Sequence, residues 1–457
     1  MARIFAHTAL LPEGWCENVS IEVGDDGTIA NVEHLAEEHP ADCEYKVDIL
    51  LPSPVNVHSH AFQRAMAGLS EHRGTAAQDD FWTWRKLMYQ FLERITPEDM
   101  QSIAALVQME MLEAGYATNV EFHYVHHQAD GTPYDNSAEL SERILAASTQ
   151  TGIGLTLLPV LYQYGGCDQR ELSAGQVRFG NDVESFLGLH EKASQAMRFG
   201  GADANIGVAP HSQRAVGADD LKYLATAFAD APIHLHLAEQ RAEVAEVQAA
   251  LGRRPVEWLL DNIDVHDRWC LIHCTQMEPH ETSGLAATHA VAGLCPITES
   301  SLGDGIFDGL NWVEAGGRIA IGSDSNIRIS LCEETRTLDY SQRLRDRVRA
   351  PFAASDRSSG RVLFEAIVAG GAQAAGRATG RIETGNYADL ISLDASSVHL
   401  VSRSGDQLLD GFIYAGDDTL VQDVWSAGRH MVQAGRHRNR EEIVNAFLAT
   451  QRKLIAS

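Results

Sequence analysis

Eight short apolar runs, alternating with helical patterns, constrain the fold of this chain more than any other feature of its sequence. Each run has the length and composition of a buried strand, and several of the segments between them carry helix signals. Residues 96–99, Thr-Pro-Glu-Asp, combine an N-cap, a proline in the first turn and early acids. Residues 240–251 repeat apolar side chains at helical spacing. The strand-like runs are 55–60, 119–124, 154–162, 205–211, 232–239, 269–274, 291–296 and 318–324.

This alternation predicts an α/β protein built on a (β/α)8 barrel, whose active site lies at the carboxyl ends of the strands. The segments outside the barrel have the pattern of short strands and turns, with too few strands at either end for a stable sheet. We therefore predict a barrel over residues 52–377 and a small β-sandwich domain that combines residues 1–51 with residues 378–457.

Composition and charge exclude several classes of protein. The chain has 457 residues, of which 44% are hydrophobic, as expected for a globular protein with a sizeable core. Neither a membrane-spanning apolar stretch nor a signal peptide is evident, so we expect a cytoplasmic protein with no membrane partner. A formal net charge of −27 argues against nucleic acid as a partner. The seven scattered cysteines, including Cys270 and Cys274, are predicted to be reduced packing residues.

Histidines and an aspartate stand at the ends of several runs. His58 and His60 are two residues apart, so their side chains point to the same side of a strand. His236 lies near the end of the fifth run and Asp324 ends the eighth, whereas His234 is expected to be a packed or hydrogen-bonded neighbour. Three imidazoles and one carboxylate suit an open catalytic zinc site, although iron(II) or manganese would be tolerated. Since no lysine at a strand end is placed to bridge two metals, we predict one zinc ion per chain on these four ligands.

Two further residues at strand ends could supply the proton chemistry of a hydrolase. Glu239 follows His236 by three residues, where the strand gives way to a loop, and it is placed for proton transfer. His273, on the sixth run, could polarise a substrate or steady a hydroxide. Taken singly, Glu239 could be a solvated loop acid and His273 a buried packing residue. Together with the metal ligands they indicate a metal-dependent hydrolase.

The order of these residues, His-x-His, His-x-x-Glu, His and Asp, resembles that of the amidohydrolase superfamily, in its branch of one-metal deaminases. The resemblance covers nearly the whole chain, including the sequence GNYADL at 385–390. Within the branch, several segments are similar to the formiminoglutamate deiminases of bacterial histidine breakdown. These segments are HSHAFQRAMAG at 58–68, FWTWR at 81–85, EFHYVHH at 121–127, APHSQRA at 209–215 and CPITESSLGDGIF at 295–307.

The resemblance implies hydrolysis of N-formimino-L-glutamate to N-formyl-L-glutamate and ammonia. In this interpretation Asp324 accepts a proton from the attacking water, Glu239 delivers one to the departing nitrogen, and His273 assists. The segment 295–307 departs from the aminohydrolases that act on purines, which usually carry asparagine where this chain has Glu299.

A small dianionic substrate explains two arginines in this acidic chain. Formiminoglutamate has two carboxylates, and arginine binds a carboxylate through two hydrogen bonds. Arg85, predicted in an aromatic loop after the first strand, and Arg214, after the fourth, are expected at the barrel mouth. Without the resemblance, either could be a surface ion pair. Further hydrogen bonds to the substrate are expected from Gln63, Tyr124 and His211.

Three alternatives stay open at this point. Another aminohydrolase of the same branch, acting on guanine, cytosine or an adenosine derivative, would need stacking aromatics and amide contacts in place of two arginines. A ring-opening enzyme such as imidazolonepropionase is the second alternative, and a catalytically inactive binding protein on the same scaffold is the third. We also expect a homodimer, and we expect residues 81–84 either to pack the loop or to form a lid that excludes water.

Overall fold

The structure is a computed structural model that describes residues 2–35, 43–71 and 81–456, without the side chains of 81–83 and 86.

The first strands of the chain form half of a β domain. The four strands before the barrel are β1 (Ala2–Leu11), β2 (Gly14–Val23), β3 (Ile29–His34) and β4 (Tyr45–Pro52).

The barrel follows directly, with its strands in the predicted order. The fourth of the eight predicted runs is split into two short strands, β8 and β9, and both pair with β7. The barrel strands are β5 (Val55–Ser59), β6 (Thr118–His123), β7 (Gly154–Leu161), β8 (Asn205–Ile206), β9 (Ala209–Pro210), β10 (Ile233–Leu237), β11 (Trp269–His273), β12 (Val291–Leu294) and β13 (Arg318–Ile321).

These strands are parallel, and they form two sheets that backbone bridges join into one barrel. Val208 pairs with Ile233 at one junction, and Ser59 pairs with Asp324 at the other. The second junction requires a glycine, because a Cβ atom on Gly322 would lie 2.6 Å from the backbone nitrogen of His58. The predicted (β/α)8 barrel is confirmed.

The helices lie between the barrel strands and at the end of the chain. Two of the sequence signals are confirmed: Thr96 caps α2 in a capping box with Asp99, and the 240–251 pattern forms α6. The helices are α1 (Phe81–Leu92), α2 (Pro97–Glu113), α3 (Glu139–Thr151), α4 (Val183–Met197), α5 (Ala218–Ala227), α6 (Arg241–Leu251), α7 (Pro255–Asn262), α8 (Pro279–Ala286), α9 (Pro296–Leu302), α10 (Gly309–Glu314), α11 (Leu331–Asp346), α12 (Ser359–Ala375), α13 (Asp406–Asp410) and α14 (Arg440–Ala456).

The end of the chain completes the β domain. Its strands are β14 (Leu390–Leu393), β15 (Val421–Ser426), β16 (Arg429–Gln433) and β17 (Arg436–His437). They join the first four in a single sheet of order β17-β16-β15-β14-β4-β1-β2-β3, in which β14 and β4 are antiparallel neighbours. The prediction that both termini share a small β domain is confirmed, whereas the boundaries at 51/52 and 377/378 stay predictions.

A buried network of ion pairs holds this sheet against the barrel. Arg377, just after α12, contacts Asp389 at 2.9 Å and Asp203 at 3.1 Å, and Arg429 of β16 contacts Asp203 at 2.6 Å. Asp389 also accepts hydrogen bonds from Thr379 and from the backbone nitrogen of Ala427, in the turn between β15 and β16. These pairs join both parts of the chain at the end of the barrel opposite the active site, where stability rather than chemistry is expected. No helix in the described part of the chain has the length and apolarity that a membrane crossing requires.

Candidate active site

Four predicted metal ligands converge at the carboxyl ends of the barrel strands. His58 lies on β5, His60 directly after it, His236 on β10 and Asp324 just beyond β13, and all four are buried. The Nε2 atoms of His58 and His236 are 3.1 Å apart, and Asp324 Oδ1 lies 3.4 Å from His58 Nε2 and 3.3 Å from His60 Nε2. One ligand atom from each residue therefore falls within 4.8 Å of the others, as a single metal ion requires.

Backbone carbonyls orient two of these imidazoles. His60 Nδ1 donates to the carbonyl of Phe122 at 3.0 Å, and His236 Nδ1 donates to the carbonyl of His211 at 3.1 Å. A proton on Nδ1 leaves Nε2 with a lone pair that points into the cluster. Burial lowers the pKa of His58 to about 3 and lowers the pKa values of His60 and His236 as well, so the rings are neutral. Three neutral imidazoles and one carboxylate, crowded together out of water, form a donor set that fits a divalent cation.

His234, Cys270 and Cys274 are not metal ligands in this cluster, as the sequence predicts. His234 points away from the metal ligands and forms a 2.8 Å hydrogen bond with the carbonyl of Ala374. Cys270 and Cys274 are free and buried.

Glu239 and His273 lie beside the metal ligands. Glu239 Oε1 is 4.0 Å from His273 Nε2, which in turn is 3.9 Å from Asp324 Oδ2. Burial raises the pKa of Glu239 to about 7, so this carboxyl can both hold and release a proton near neutral pH. Burial by itself lowers the pKa of His273, but the carboxylates of Glu239, Glu299 and Asp324 outweigh it and raise that pKa to about 10. The three groups form a buried set in which a proton can be held at several atoms.

Glu299 was not among the predicted site residues, yet it holds His273 in place. Its Oε1 accepts a hydrogen bond from His273 Nδ1 at 3.2 Å and from the backbone nitrogen of Cys295 at 2.8 Å. His273 also adopts a positive φ of 72°, a strained conformation that the surrounding contacts maintain. The sequence contained a signal for this role of Glu299. The residue lies in the first turn of α9, directly after the barrel strand β12, and an acid in that position can point back to the strand ends.

A cavity opens beside the metal ligands, and the five predicted substrate-binding residues line it. Gln63 Nε2 donates to the hydroxyl of Tyr124 at 2.9 Å, so these two side chains position one another. Burial and the positive charge of Arg214 lower the pKa of His211 well below its ordinary value. The cavity thus brings Gln63, Arg85, Tyr124, His211 and Arg214 together with Glu239, His273 and Asp324.

Arg85 reaches the cavity from a helix, which corrects the prediction of an aromatic loop. It belongs to α1, and its Nη2 donates to the hydroxyl of Tyr162 at 2.8 Å. Residues 81–84 were predicted either to pack the loop or to form a lid, and the side chains of 81–83 lie outside the described residues. Trp84 lines the cavity. Four other lining residues were not predicted: Met88, Tyr162, Phe179 and Leu302. Tyr162 directly follows β7, at the end of a predicted run, whereas the other three come from loops and helices whose direction the strand pattern does not specify.

Two family models together match nearly the whole chain. The model of the amidohydrolase family matches residues 49–431, and the model of the N-terminal domain of formimidoylglutamate deiminase HutF matches residues 1–44. The chain is 46% identical to the formimidoylglutamate deiminase of Pseudomonas aeruginosa over 457 residues, which are 100% of both chains.

Two solved structures are similar over their full length. A crystal structure of an amidohydrolase from Brucella melitensis has a TM-score of 0.94 and 45% sequence identity, and the match covers 100% of both chains. An adenosine deaminase from Xanthomonas campestris, solved with bound zinc, has a TM-score of 0.82 and 21% identity, and the match covers 100% of this chain and 99% of the other. At 21% identity, the second match shows only that the two proteins have the same fold.

Proposed function

The chain belongs to the amidohydrolase family and, within it, to the formimidoylglutamate deiminases. From this premise we propose how its residues catalyse the reaction. N-formimino-L-glutamate and water are converted to N-formyl-L-glutamate and ammonia in histidine degradation. The observation that carries the proposal is that one cavity is lined by three of the four metal ligands, an acid–base pair and two arginines. Arginines are expected where a dianion binds, and these two lie together in a chain whose formal net charge is −27.

We propose zinc as the resident metal, with iron(II) as the alternative. His58, His60, His236 and Asp324 would hold one ion, and their neutral imidazoles and carboxylate support this choice. A related structure contains zinc, as noted above. When bound, the ion would act as a Lewis acid that lowers the pKa of a water molecule at the open position.

The acidic residues move the protons of the reaction. Asp324 faces His58 and His60 with Oδ1, while Oδ2 lies on the side of His273, where it can accept a proton from the attacking water. Water adds its oxygen to the formimino carbon. The bond from that carbon to the terminal nitrogen then breaks, and both hydrogens of the water leave on this nitrogen as ammonia. Glu239, with its pKa near neutrality, delivers a proton to the departing nitrogen.

His273 stabilises the charge that develops on the attacked centre. Its pKa is raised to about 10, so the ring is protonated and donates from Nε2, while Nδ1 is held by Glu299. A positioned cation in a buried site acts strongly because the surrounding water is excluded. This role requires that the ring keep its orientation, which the fixed Nδ1 contact provides.

Substrate binding depends on Arg85 and Arg214, each of which we assign to one carboxylate. Gln63, Tyr124 and His211 add hydrogen bonds around the formimino end and the backbone of the substrate.

The homodimer, the cytoplasmic location and the domain boundaries at 51/52 and 377/378 remain predictions. Sedimentation and limited proteolysis would test the first and the last of them.

The test is ammonia release from N-formimino-L-glutamate beside guanine, cytosine and adenosine. We expect ammonia from the first substrate alone, and a loss of about 10- to 150-fold in kcat/KM for Arg214→Met, the equivalent of one charge-assisted contact. The control is Arg253→Met, since Arg253 pairs with Asp261 on the surface. A wild-type protein that ignores formiminoglutamate but deaminates a purine or pyrimidine would refute the proposed function.

A further inference from the structure

Tyr162 lies in the wall of the active-site cavity, directly after β7, and its hydroxyl has two neighbours that both donate to it. Arg85 Nη2 and Gln176 Nε2 each lie 2.8 Å from the phenolic oxygen. The ring itself is fully buried, with the ring of His211 at 4.6 Å and that of Phe179 at 5.5 Å. Its position is therefore set by packing as well as by hydrogen bonds.

The orientation of the Gln176 amide follows from its other contacts. Its Oε1 accepts from the backbone nitrogen of Ser173 at 3.0 Å and from the Ser173 hydroxyl at 2.7 Å. A backbone N–H can only donate, so the atom facing Ser173 must be the amide oxygen. The amide nitrogen then faces Tyr162 and can only donate to it. Arg85 has no acceptor atom, so it also can only donate.

The phenolic oxygen thus uses both of its lone pairs on these donors, and its own hydrogen is left to donate elsewhere. Within the described residues, Tyr162 donates to no protein acceptor. A buried hydroxyl hydrogen is stabilised by an acceptor, and here that acceptor must come from the cavity. Beside the positively charged Arg85 guanidinium, the acceptor that suits this position best is a carboxylate, which is negatively charged and has no hydrogen to donate.

We propose that Tyr162, set by Gln176, donates a hydrogen bond to the substrate carboxylate that Arg85 holds, and that this pair of donors selects an ionised carboxylate over a carboxamide. The inference rests on the proposed function, since it names a contact in that substrate site. A carboxamide presents an NH2 group that would face Arg85 or Tyr162 donor to donor. A buried donor left without a partner is costly, and this cost rejects the isosteric amide.

The first test compares N-formimino-L-glutamate with its α-carboxamide and γ-carboxamide analogues on Tyr162→Phe. This change removes one oxygen and keeps the buried ring. We expect kcat/KM for the diacid to fall about 10- to 150-fold, the effect of one hydrogen bond to a charged group. The carboxamide that lacks the Arg85-bound carboxylate should lose at most a few-fold. The control is Tyr164→Phe, since Tyr164 lies outside this cavity and lines a neighbouring cleft.

The second test reverses the direction of the Gln176 contact. In Gln176→Glu the side chain can still accept from Ser173, but its other oxygen now accepts the Tyr162 hydrogen and withdraws it from the substrate. We expect the same loss of discrimination, and we expect the Tyr162→Phe, Gln176→Glu double variant to be no worse than Tyr162→Phe alone. Additive losses, or equal losses on all three substrates, would overturn the inference.

Binding of glutarate, measured by calorimetry, separates this inference from the proposed function. Glutarate has both carboxylates but no formimino group. Weaker glutarate binding by Tyr162→Phe supports the inference even if the wild type releases no ammonia from formiminoglutamate, in which case only the proposed function fails. If the wild type binds no glutarate, or if Tyr162→Phe changes neither glutarate binding nor kcat/KM, then Tyr162 does not recognise a carboxylate.

Discussion

Replacing Glu299 with glutamine is expected to slow the reaction without unfolding the protein. The carboxylate is buried and accepts from His273 Nδ1 at 3.2 Å and from the backbone nitrogen of Cys295 at 2.8 Å. Glutamine has the same shape, and its oxygen can accept from both donors. The variant therefore keeps the geometry of the site and removes the negative charge.

The size of the effect follows from the difference between the two kinds of hydrogen bond. A bond to a charged group contributes about 1.5–3 kcal/mol, and a bond between neutral groups about 0.5–1.5 kcal/mol. The variant should therefore lose about 1–1.5 kcal/mol of stabilisation of protonated His273, or about five- to thirteen-fold in kcat. The KM should change little, because Glu299 does not line the cavity.

The pH profile gives a second, independent readout. Burial lowers the pKa of His273, but Glu239, Glu299 and Asp324 together raise it to about 10. A group with a raised pKa is protonated below that pKa and loses its proton as the pH rises through it. Removal of the Glu299 charge lowers the pKa of His273, so the fall of kcat on the alkaline side should begin at lower pH in Glu299→Gln.

The assay is ammonia release measured from neutral to alkaline pH, with metal content and Tm determined on the same samples. Glu314→Gln, an exposed acid at the end of α10, serves as the control and should behave as the wild type. A wild-type kcat with an unshifted alkaline limb in Glu299→Gln would show that the charge on Glu299 has no part in the reaction.

Three further predictions follow from the geometry. Purified protein should contain about one zinc or iron per chain, and His58→Ala should lose most of it; a full complement of metal in a His58→Ala, His236→Ala double variant, measured by mass spectrometry, would refute the metal site. Glu239→Gln should retain the metal and lose at least ~100-fold in kcat, and near-normal turnover would remove this residue from the proton transfer. Asp389→Ala should lower the free energy of unfolding in urea by about 3–5 kcal/mol because it leaves Arg377 partly unpaired, whereas Glu383→Ala, in an exposed pair, should change it little.

The strand pattern of the sequence was sufficient to predict the barrel and the metal ligands. Strand-like runs alternating with helical segments specify the barrel, and the carboxyl ends of parallel strands meet at one face. His58, His236 and Asp324 lie at such ends, so their convergence follows from the topology without knowledge of any loop. The fourth run is the exception, because the strand is interrupted after Ile206. Gly207 lies in this interruption, where a Cβ atom would lie 2.5 Å from the carbonyl oxygen of Pro232.

The rest of the site depends on contacts that no local pattern records. Arg85 and Tyr162 are 77 residues apart, and their contact requires both the direction of α1 and the end of β7. The segment around Arg85 is rich in aromatic residues, which are compatible with a loop or a helix, and packing in the barrel mouth decides for the helix. Gln176 was missed for a related reason, since its role depends on which atom of the amide faces Ser173.

The metal ligands and the barrel share the same backbone bonds, and this has a consequence for how the site can vary. The nitrogen of Asp324 donates to the carbonyl of His58 at 2.9 Å, and the nitrogen of His60 donates to the carbonyl of Asp324 at 2.9 Å. These two bonds close the barrel between β13 and β5 and simultaneously place three ligands. A shift of the backbone at these ligands would therefore also break the bonds that close the barrel. The Arg85, Tyr162 and Gln176 contacts, in contrast, are made by side chains outside the strand ladder. Substitutions there can change which substrate is bound while the closure of the barrel, and with it the metal cluster, stays intact.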